Sequence, residues 1–474
     1  MTGGITTVTR IESSSGVLEL AGTRVLIVGL GSSGLAATRL AARLGARVTL
    51  NDQRDEGDAP DLASDLAGID VRRVLGGHPL SLLDDCDLIV VSPGVPMAIP
   101  LLQTALAGDI PVWSEIELAS RVCRGRVIAV TGSNGKSTVT TMIGSILSAA
   151  GIVGGVGGNL ATPFSTMLQQ DGPDVVHSLE LSSFQLETTH TLEADVAVLT
   201  NFTPDHLDRY DDLAAYGAAK SRLFAMQSPE GVAVFNADDE EWPRFSPAVR
   251  GRMSSFSVAD RDDADAIVLD RKLVLREDGG HVTICGIDEL TVVGSHNVAN
   301  ALAAVIACHH VGVQPATIRA GLLAYRPLPH RLEPVRTMGG VDFYNDSKAT
   351  NPDAAIRAIE AFPDRRIHWI LGGKDKDGDW NPVVELLARR ECRVLLIGDA
   401  AEMLAKRIGT AAPLIRCGSM DVAVRQAAAL AAAGDVVLLA PGCASFDQFL
   451  NFEDRGEQYR MLVQALTSIG GQHA

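Results

Sequence analysis

The segment VIAVTGSNGKST, residues 127–138, sets a glycine-rich turn between a buried apolar run and a lysine followed by two hydroxyls. A phosphate needs open backbone N–H groups, close approach without a Cβ, and a cation. Gly132, Ser133, Asn134 and Gly135, the start of a helix, and Lys136 supply them. The hydroxyl of Ser137 or Thr138 suits Mg2+. Where the common loop carries a further glycine this chain has Val130, so the loop is a shortened variant. In SLELSSFQLE (178–187), Glu180 interrupts an apolar strand. A carboxylate there is costly unless ion-paired or metal-bound, and the phosphate loop one segment earlier favours the metal. In TNFTPDHLDRY (200–210), His206 follows another strand end among Asp205, Asp208 and Arg209. It reads equally as a solvated loop histidine and as a functional group. Lys220, in LAAYGAAKSRLFA, lies on a predicted helix and by pattern alone is a surface lysine. Asn297 and Asn300, in SHNVANALAA, read as cap residues of a helix start.

A second phosphate signal competes with the first. VLIVGLGSSG (25–34) is a strand ending in G-x-G-x-x-G at Gly29, Gly31 and Gly34, with Asp52 following. That is the fingerprint of an NAD- or FAD-binding turn. Alone it is weak support for an oxidoreductase, because it explains neither Lys136 nor Glu180.

These residues need elements to hold them. Short β-branched runs recur at 25–30, 48–51 and 88–91, then at 127–130, 175–181, 196–199 and 232–235, and again at 341–344, 367–371, 394–397 and 436–439. Near-continuous apolar strands alternating with helical stretches imply parallel sheets covered on both faces. The expected fold is α/β in three domains: a Rossmann-like N-terminal domain (1–114), a P-loop-type central ATPase domain with a mainly parallel sheet (115–327), and a Rossmann-like C-terminal domain (328–474). Between residues 253 and 293 the pattern alternates around a D-G-G turn and predicts β-hairpins. YRPLPHRLEP (325–334) holds three prolines and predicts an interdomain linker. Ligands of such sheets bind beyond the carboxyl ends of the strands, where GLGSSG, NDQR, SPG, TGSNGKST, NDSKAT, LGGKDK and APGCASFDQ all fall.

Composition excludes several classes. A net charge of −17 argues against a general nucleic-acid or membrane-surface binder. An apolar content of 46% suits a globular chain. The seven cysteines form no C-x-x-C pair and suggest reduced thiols rather than a zinc site or disulfide framework. Residues 1–16 contain no apolar leader core, and no run of about 18 apolar residues suggests a spanning helix. The chain is therefore expected to be soluble and cytoplasmic.

TGSNGKST, LELSSFQLE, TPDHLDRY, GSHNVANALAA, LPHRLE, NDSKATN and CASFDQF occur in the order found in Mur ligases, and the chain resembles that family along essentially its whole length. SSFQLE, NDSKATN and CASFDQFLNFEDRG favour the branch that adds D-glutamate. Another Mur ligase, a folylpolyglutamate-synthase-like ligase and a non-enzymatic NTP-binding regulator are the alternatives.

The resemblance implies a monomeric ATP- and Mg2+-dependent ligase that joins D-glutamate to UDP-N-acetylmuramoyl-L-alanine through an acyl phosphate, with no nucleic-acid or membrane partner. By matching motifs it implies that Lys136 binds phosphates within the loop Gly132 to Thr138. Ser137 and Glu180 would ligate one Mg2+, and His206 a second. Lys220 would be carbamylated and face the metal. Asn300, Arg331 and Asp346 would hold the nucleotide. Ser32, Ser33, Gln53, Arg54, Ser92, Asn159, Gln185 and His206 would hold the UDP-sugar substrate, displacing Asp52 from any NAD ribose. Lys348, Thr350, Lys376, Ser445 and Phe452 would receive D-glutamate, with Lys374 an alternative to Lys376. Because the nucleotide ligands straddle the linker, the third domain is expected to close on ATP.

Overall fold

A computed structural model describes residues 18–58, 61–160, 162–205, 209–277, 280–292, 294–376 and 378–467. Three sheets follow one another along the chain. The first is wholly parallel and contains β1 (Arg24–Val28), β2 (Arg47–Asp52), β3 (Val71–Leu75), β4 (Leu88–Val91) and β5 (Val112–Ser114), in the order 3-2-1-4-5. The strand order reverses between β1 and β4, so a crevice opens there beyond their carboxyl ends.

The second sheet contains β6 (Arg126–Thr131), β7 (Val156–Gly158), β8 (Val176–Glu180), β9 (Val196–Leu199), β10 (Val232–Asn236), β11 (Arg252–Ser257), β12 (Ala266–Leu269), β13 (Lys272–Glu277) and β14 (Gly280–Gly286). Their order is 14-13-12-11-10-9-6-8-7. It is parallel from β7 to β12, and β13 and β14 close it as antiparallel hairpins. The hairpin expectation for 253–293 thus holds for β12 to β14. It fails for β11, which extends the parallel sheet beside β10. The turn between β13 and β14, at 278–279, lies outside the described residues.

The third sheet contains β15 (Glu333–Met338), β16 (Val341–Asn345), β17 (Ile367–Gly372), β18 (Cys392–Ile397), β19 (Leu414–Gly418) and β20 (Val436–Leu439), ordered 15-16-20-17-18-19. Only β15 is antiparallel. It shortens the expected linker rather than removing it: residues 325–332 carry neither helix nor strand, but Glu333 and Pro334 pair with Asn345 and Tyr344. Proline is tolerated there because β15 is an edge strand with a register shift just after Pro334.

The apolar cores show how the three parts are joined. One cluster runs without a break from Ile27 and Leu50 of the first sheet through Trp113, Ile116 and Phe164 to Phe202 and Phe245 of the second. At its centre Ser114 caps the helix Glu115–Ser120 by accepting from the Glu117 N–H at 3.0 Å. Buried Glu115 accepts the Ser165 N–H at 2.5 Å. The apolar clusters of the third part contain no described residue before Leu332. The first two parts therefore share a buried apolar cluster, whereas the third has clusters of its own and places polar side chains such as Arg331 and Asp353 against the second. All seven cysteines are free, and among the described residues no helix is long and apolar enough to cross a membrane.

Candidate active site

The loop 132–135 leaves β6, which lies between β9 and β8 in the second sheet, and opens into the helix Lys136–Ala149. A helix start leaves its first N–H groups open and carries a partial positive charge, which suits an anion. Gly135 is the N-cap at φ +84°, and a Cβ there would lie 2.4 Å from Asn300 Oδ1. Glycine is thus required by both backbone and neighbour. The loop is clamped from β9. The Asn134 N–H donates to Asn201 Oδ1 at 2.9 Å, and the Asn134 carbonyl accepts from Thr200 Oγ1 at 2.6 Å and Asn201 Nδ2 at 2.9 Å. Lys136 Nζ donates to the Gly132 and Ser133 carbonyls at 2.8 Å each.

Glu180 ends β8 next to this loop and is buried. Its Oε1 accepts from Asn159 Nδ2 at 2.8 Å, and its Oε2 has no hydrogen-bond partner. Burial disfavours its charge, but Lys136 and the groups around it outweigh that cost and hold the carboxyl below its usual range. Lys220 is 1% exposed on the helix Leu213–Ala225, which corrects the surface-lysine expectation. Its Nζ donates to the Gly132 carbonyl at 2.8 Å and stands 4.4 Å from the centre of the Tyr216 ring. Burial, reinforced by the Lys136 charge, drives its pKa well below the ordinary lysine value, against the pull of Asp205 and Glu180. Asn297 and Asn300 are both buried, and Gly294 rather than either asparagine caps the helix Ser295–His310. That helix instead brings Asn300 against Gly135.

The third part faces this assembly. Arg331 reaches across to donate to Ser137 Oγ at 2.9 Å. Asp346, just beyond β16, accepts the Leu332 N–H at 3.2 Å, and burial pushes its carboxyl up to about 7. Lys348 Nζ lies 3.7 Å from the centre of the Phe452 ring; burial, with Arg331 nearby, lowers it to about 8. Lys376 Nζ is 3.4 Å from Asp205 Oδ1. Lys374 is exposed, and its backbone pairs with Ala444. Buried Arg455 organises the loops behind Lys348. Its Nε and NH2 donate to Ser347 at 2.9 and 2.8 Å, and its NH1 donates to the Cys443 and Ala444 carbonyls at 3.1 and 3.2 Å.

A cavity of about 780 Å³ joins Ser133 to Thr138, Asn159, Glu180, Asn300, Arg331, Asp346, Lys348, Thr350 and Lys376. Gly132 and Lys220 lie behind its wall, and Ser445 and Phe452 are not in its lining. Gln185 is turned away. Its carbonyl oxygen accepts from the Ser182 N–H and hydroxyl at 3.0 Å each, and with Ser92, Phe184 and Arg209 it lines a separate small cavity. His206 lies outside the described residues.

In the first part the crevice between β1 and β4 carries Ser92, whose Oγ donates to the Gly29 carbonyl at 3.4 Å. A Cβ on Gly34 would lie 1.8 Å from the Gly29 oxygen, which explains that glycine. Asp52 is occupied by its own loop, accepting the Leu30 N–H at 2.6 Å and the Arg54 N–H at 2.8 Å. Ser32, Gln53 and Arg54 are exposed and Ser33 is half-buried at the same end of the sheet. A cavity of about 770 Å³ at the opposite, amino ends of β1 and β2 holds none of the expected residues.

The sequence does not mark Thr200, Asn201, Asp205 (noted only as a neighbour of His206), Asn351 or Asp353 as functional, yet all of them touch the phosphate loop or its neighbours. The strand end at 200–205 was a usable signal for the first three. Nothing local marks the last two, which arrive from the third part.

Residues 23–114 match the family model for the Mur ligase MurD-like N-terminal domain, 130–308 the Mur ligase middle domain, and 330–443 the Mur ligase glutamate ligase domain. The UDP-N-acetylmuramoylalanine–D-glutamate ligase of Acidobacterium capsulatum is 44% identical, covering 94% of this chain and 97% of that protein. The protein of the same name from Myxococcus xanthus is 42% identical over 95% and 100%. MurF from Acinetobacter baumannii superposes with a TM-score of 0.60 at 18% identity, over 92% of this chain and 93% of that one. UDP-N-acetylmuramate–alanine ligase from Thermotoga maritima gives 0.58 at 17%, over 93% and 99%. These two likenesses bear on the fold, a three-part α/β arrangement of mostly parallel sheets.

Proposed function

This chain belongs to the Mur ligase family, and from that premise we propose that it joins D-glutamate to UDP-N-acetylmuramoyl-L-alanine in peptidoglycan precursor synthesis, converting ATP to ADP and phosphate. The observation that carries the reading is the single cavity in which Lys136, Ser137 and Glu180 face Arg331, Lys348 and Lys376. The relatives' names supply the substrates.

The three functional units are 1–114 for the UDP-sugar, 115–327 for ATP and 328–474 for the amino acid. Lys136, the open N–H groups of its helix and Arg331 neutralise the phosphates of ATP while the substrate carboxylate attacks the γ-phosphorus, expelling ADP. Lys348 and Lys376 suit a dicarboxylate amino acid. Its neutral amine then attacks the acyl carbon of the acyl phosphate, loses its proton, and phosphate leaves. Glu180 Oε2, buried and without a partner near the Ser137 hydroxyl, completes a hard-oxygen set that fits Mg2+. When bound, the ion supplies charge neutralisation at the transferring phosphoryl group. His206 belongs to a second such site. Lys220 is carbamylated; burial, reinforced by the Lys136 charge, lowers its pKa and so favours the neutral amine that reaction with CO2 requires. Ser32, Ser33, Gln53, Arg54 and Ser92 hold the uridine diphosphate, and Asn159 the alanyl end. Ser445 and Phe452 frame the D-glutamate site. The reaction takes place in the cytoplasm, where ATP is available.

The test is phosphate release with ATP, UDP-N-acetylmuramoyl-L-alanine and a panel of D-glutamate, L-glutamate, L-alanine and diaminopimelate. Release is expected with D-glutamate alone. Release with another acceptor, or independent of any acceptor, would overturn the assignment.

A further inference from the structure

The tip of the phosphate loop is held by a carboxylate from the other side of the cleft. Asp353 lies in the first turn of the helix Pro352–Glu360, in the third part of the chain. Its Oδ2 accepts from Asn134 Nδ2 at 2.5 Å, from Thr203 Oγ1 at 3.3 Å and from Arg357 Nε at 3.0 Å. A carboxylate can only accept, so the Asn134 amide is fixed with its nitrogen toward Asp353. Its oxygen then faces Asn351 Nδ2 at 3.4 Å. Asn351 is itself immobilised, because its Oδ1 caps the helix by accepting the Ala354 N–H at 2.8 Å and its Nδ2 donates to Asp205 Oδ2 at 3.0 Å. The Asn134 backbone is clamped by Thr200 and Asn201 and its side chain by Asn351 and Asp353. Both halves of one loop residue are thus set by different parts of the chain.

An acid placed beside an anion-binding loop works against the phosphate unless it serves the loop. Here its charge is offset by Arg357, and its Oδ2 holds the Asn134 amide together with the Thr203 hydroxyl. The third part shares no apolar cluster with the second, so a polar contact of this kind is what registers its position on the loop.

We propose that Asp353 is a positioning residue that sets the phosphate loop through Asn134, so that seating of the amino-acid-binding part and tight holding of ATP are one event. This rests on the ATP-ligase reading above. Removing the Asp353 acceptor frees the Asn134 amide to rotate and lets the loop lose its geometry, without touching any group that meets D-glutamate.

The test titrates ATP against the wild-type chain and against Asp353→Ala, Asp353→Asn, Asn134→Ala and the Asn134→Ala/Asp353→Ala double variant, with steady-state turnover and thermal midpoints alongside. Asp353→Ala should weaken ATP about tenfold, in Kd and in KM alike, and leave KM for D-glutamate within about twofold. Asp353→Asn keeps an acceptor and should recover to within about threefold of wild type. In the Asn134→Ala background, removing Asp353 should change ATP affinity by less than about twofold, because the residue acts through Asn134. Additive losses, equal losses in both Michaelis constants with a lowered midpoint, or unchanged ATP affinity would overturn the proposal. Asn134→Ala changes no residue of the third part and must weaken ATP at least as much; where Asp353→Ala unfolds, Asp353→Asn measured in the wild-type and Asn134→Ala backgrounds decides the matter, a loss confined to the former supporting the proposal and an equal loss in both overturning it. A wild-type chain that binds ATP but does not turn over D-glutamate would sink the ligase reading, while the ATP titrations still judge Asp353.

Discussion

Arg331 donates to the hydroxyl of Ser137 at 2.9 Å, tying the segment between the second and third sheets to the first turn of the phosphate-loop helix. The neighbours of Arg331, His330 and Leu332, both adopt positive φ, at +63° and +40°. The backbone is bent at this point to aim the guanidinium into the cleft. Arg331→Ala should raise KM for ATP at least about tenfold, and Arg331→Lys should recover little, because a lysine lacks the planar fork that meets phosphate and hydroxyl together. Phosphate release measured against ATP concentration decides it. A lysine variant with wild-type KM would show that only the charge matters.

Lys220 shares the Gly132 carbonyl with Lys136 as an acceptor. Two cations on one carbonyl raise the cost of charging either, which is why burial and Lys136 together depress Lys220. Lys220→Ala should lose about 100-fold or more in kcat, and millimolar formate or acetate should restore part of it by supplying the missing anion. Mass spectrometry of the intact wild-type chain under bicarbonate should show the carbamate. Full activity in Lys220→Ala would remove any role for it.

Lys376 and Lys374 separate cleanly in space. Lys376 lines the main cavity and pairs with Asp205 at 3.4 Å, whereas Lys374 is exposed. Lys376→Ala should therefore raise KM for D-glutamate about 10- to 100-fold, the loss expected for a charge-assisted contact to carboxylate. Lys374→Ala should stay within about twofold of wild type. The reverse ranking would move the amino-acid site.

Much of this was readable from the chain, and the reasons differ from residue to residue. The phosphate loop is a local pattern, so Gly132 to Thr138 could be named without a fold. Glu180 stood out because a carboxylate inside an apolar run demands a partner. Lys220 did not, since a lysine among alanines looks exposed until its helix is packed onto the Gly132 carbonyl. The strands that escaped notice are edge or peripheral ones. β3 and β15 are half-exposed and lack the continuous apolar run that marks β6 or β17. Asn351 and Asp353 were invisible for a different reason. Their meaning lies in contacts with Asn134, more than 200 residues earlier, and no local spacing encodes it.

Glu115 provides a prediction about stability rather than catalysis. It is buried at the start of the helix that follows β5; Oε1 accepts the Ser165 N–H, while Oε2 and Ser165 Oγ lack partners. Burial raises its carboxyl to about 6, from an ordinary value of 4.5. The folded chain therefore holds more protons than the unfolded one between pH 4.5 and 6. Its contribution is fully present below the lower value and is lost as pH rises through the upper one. Above that, an ionised Glu115 is a constant cost of about 1–2 kcal/mol. Glu115→Gln keeps the acceptor for Ser165 N–H and supplies an N–H where Oε2 stands unpaired. It should be more stable than wild type by about that amount at pH 7.5, with the difference vanishing near pH 4.5. Urea midpoints for both chains across that range measure it. A difference that does not change with pH would show that Glu115 keeps its ordinary titration inside the fold.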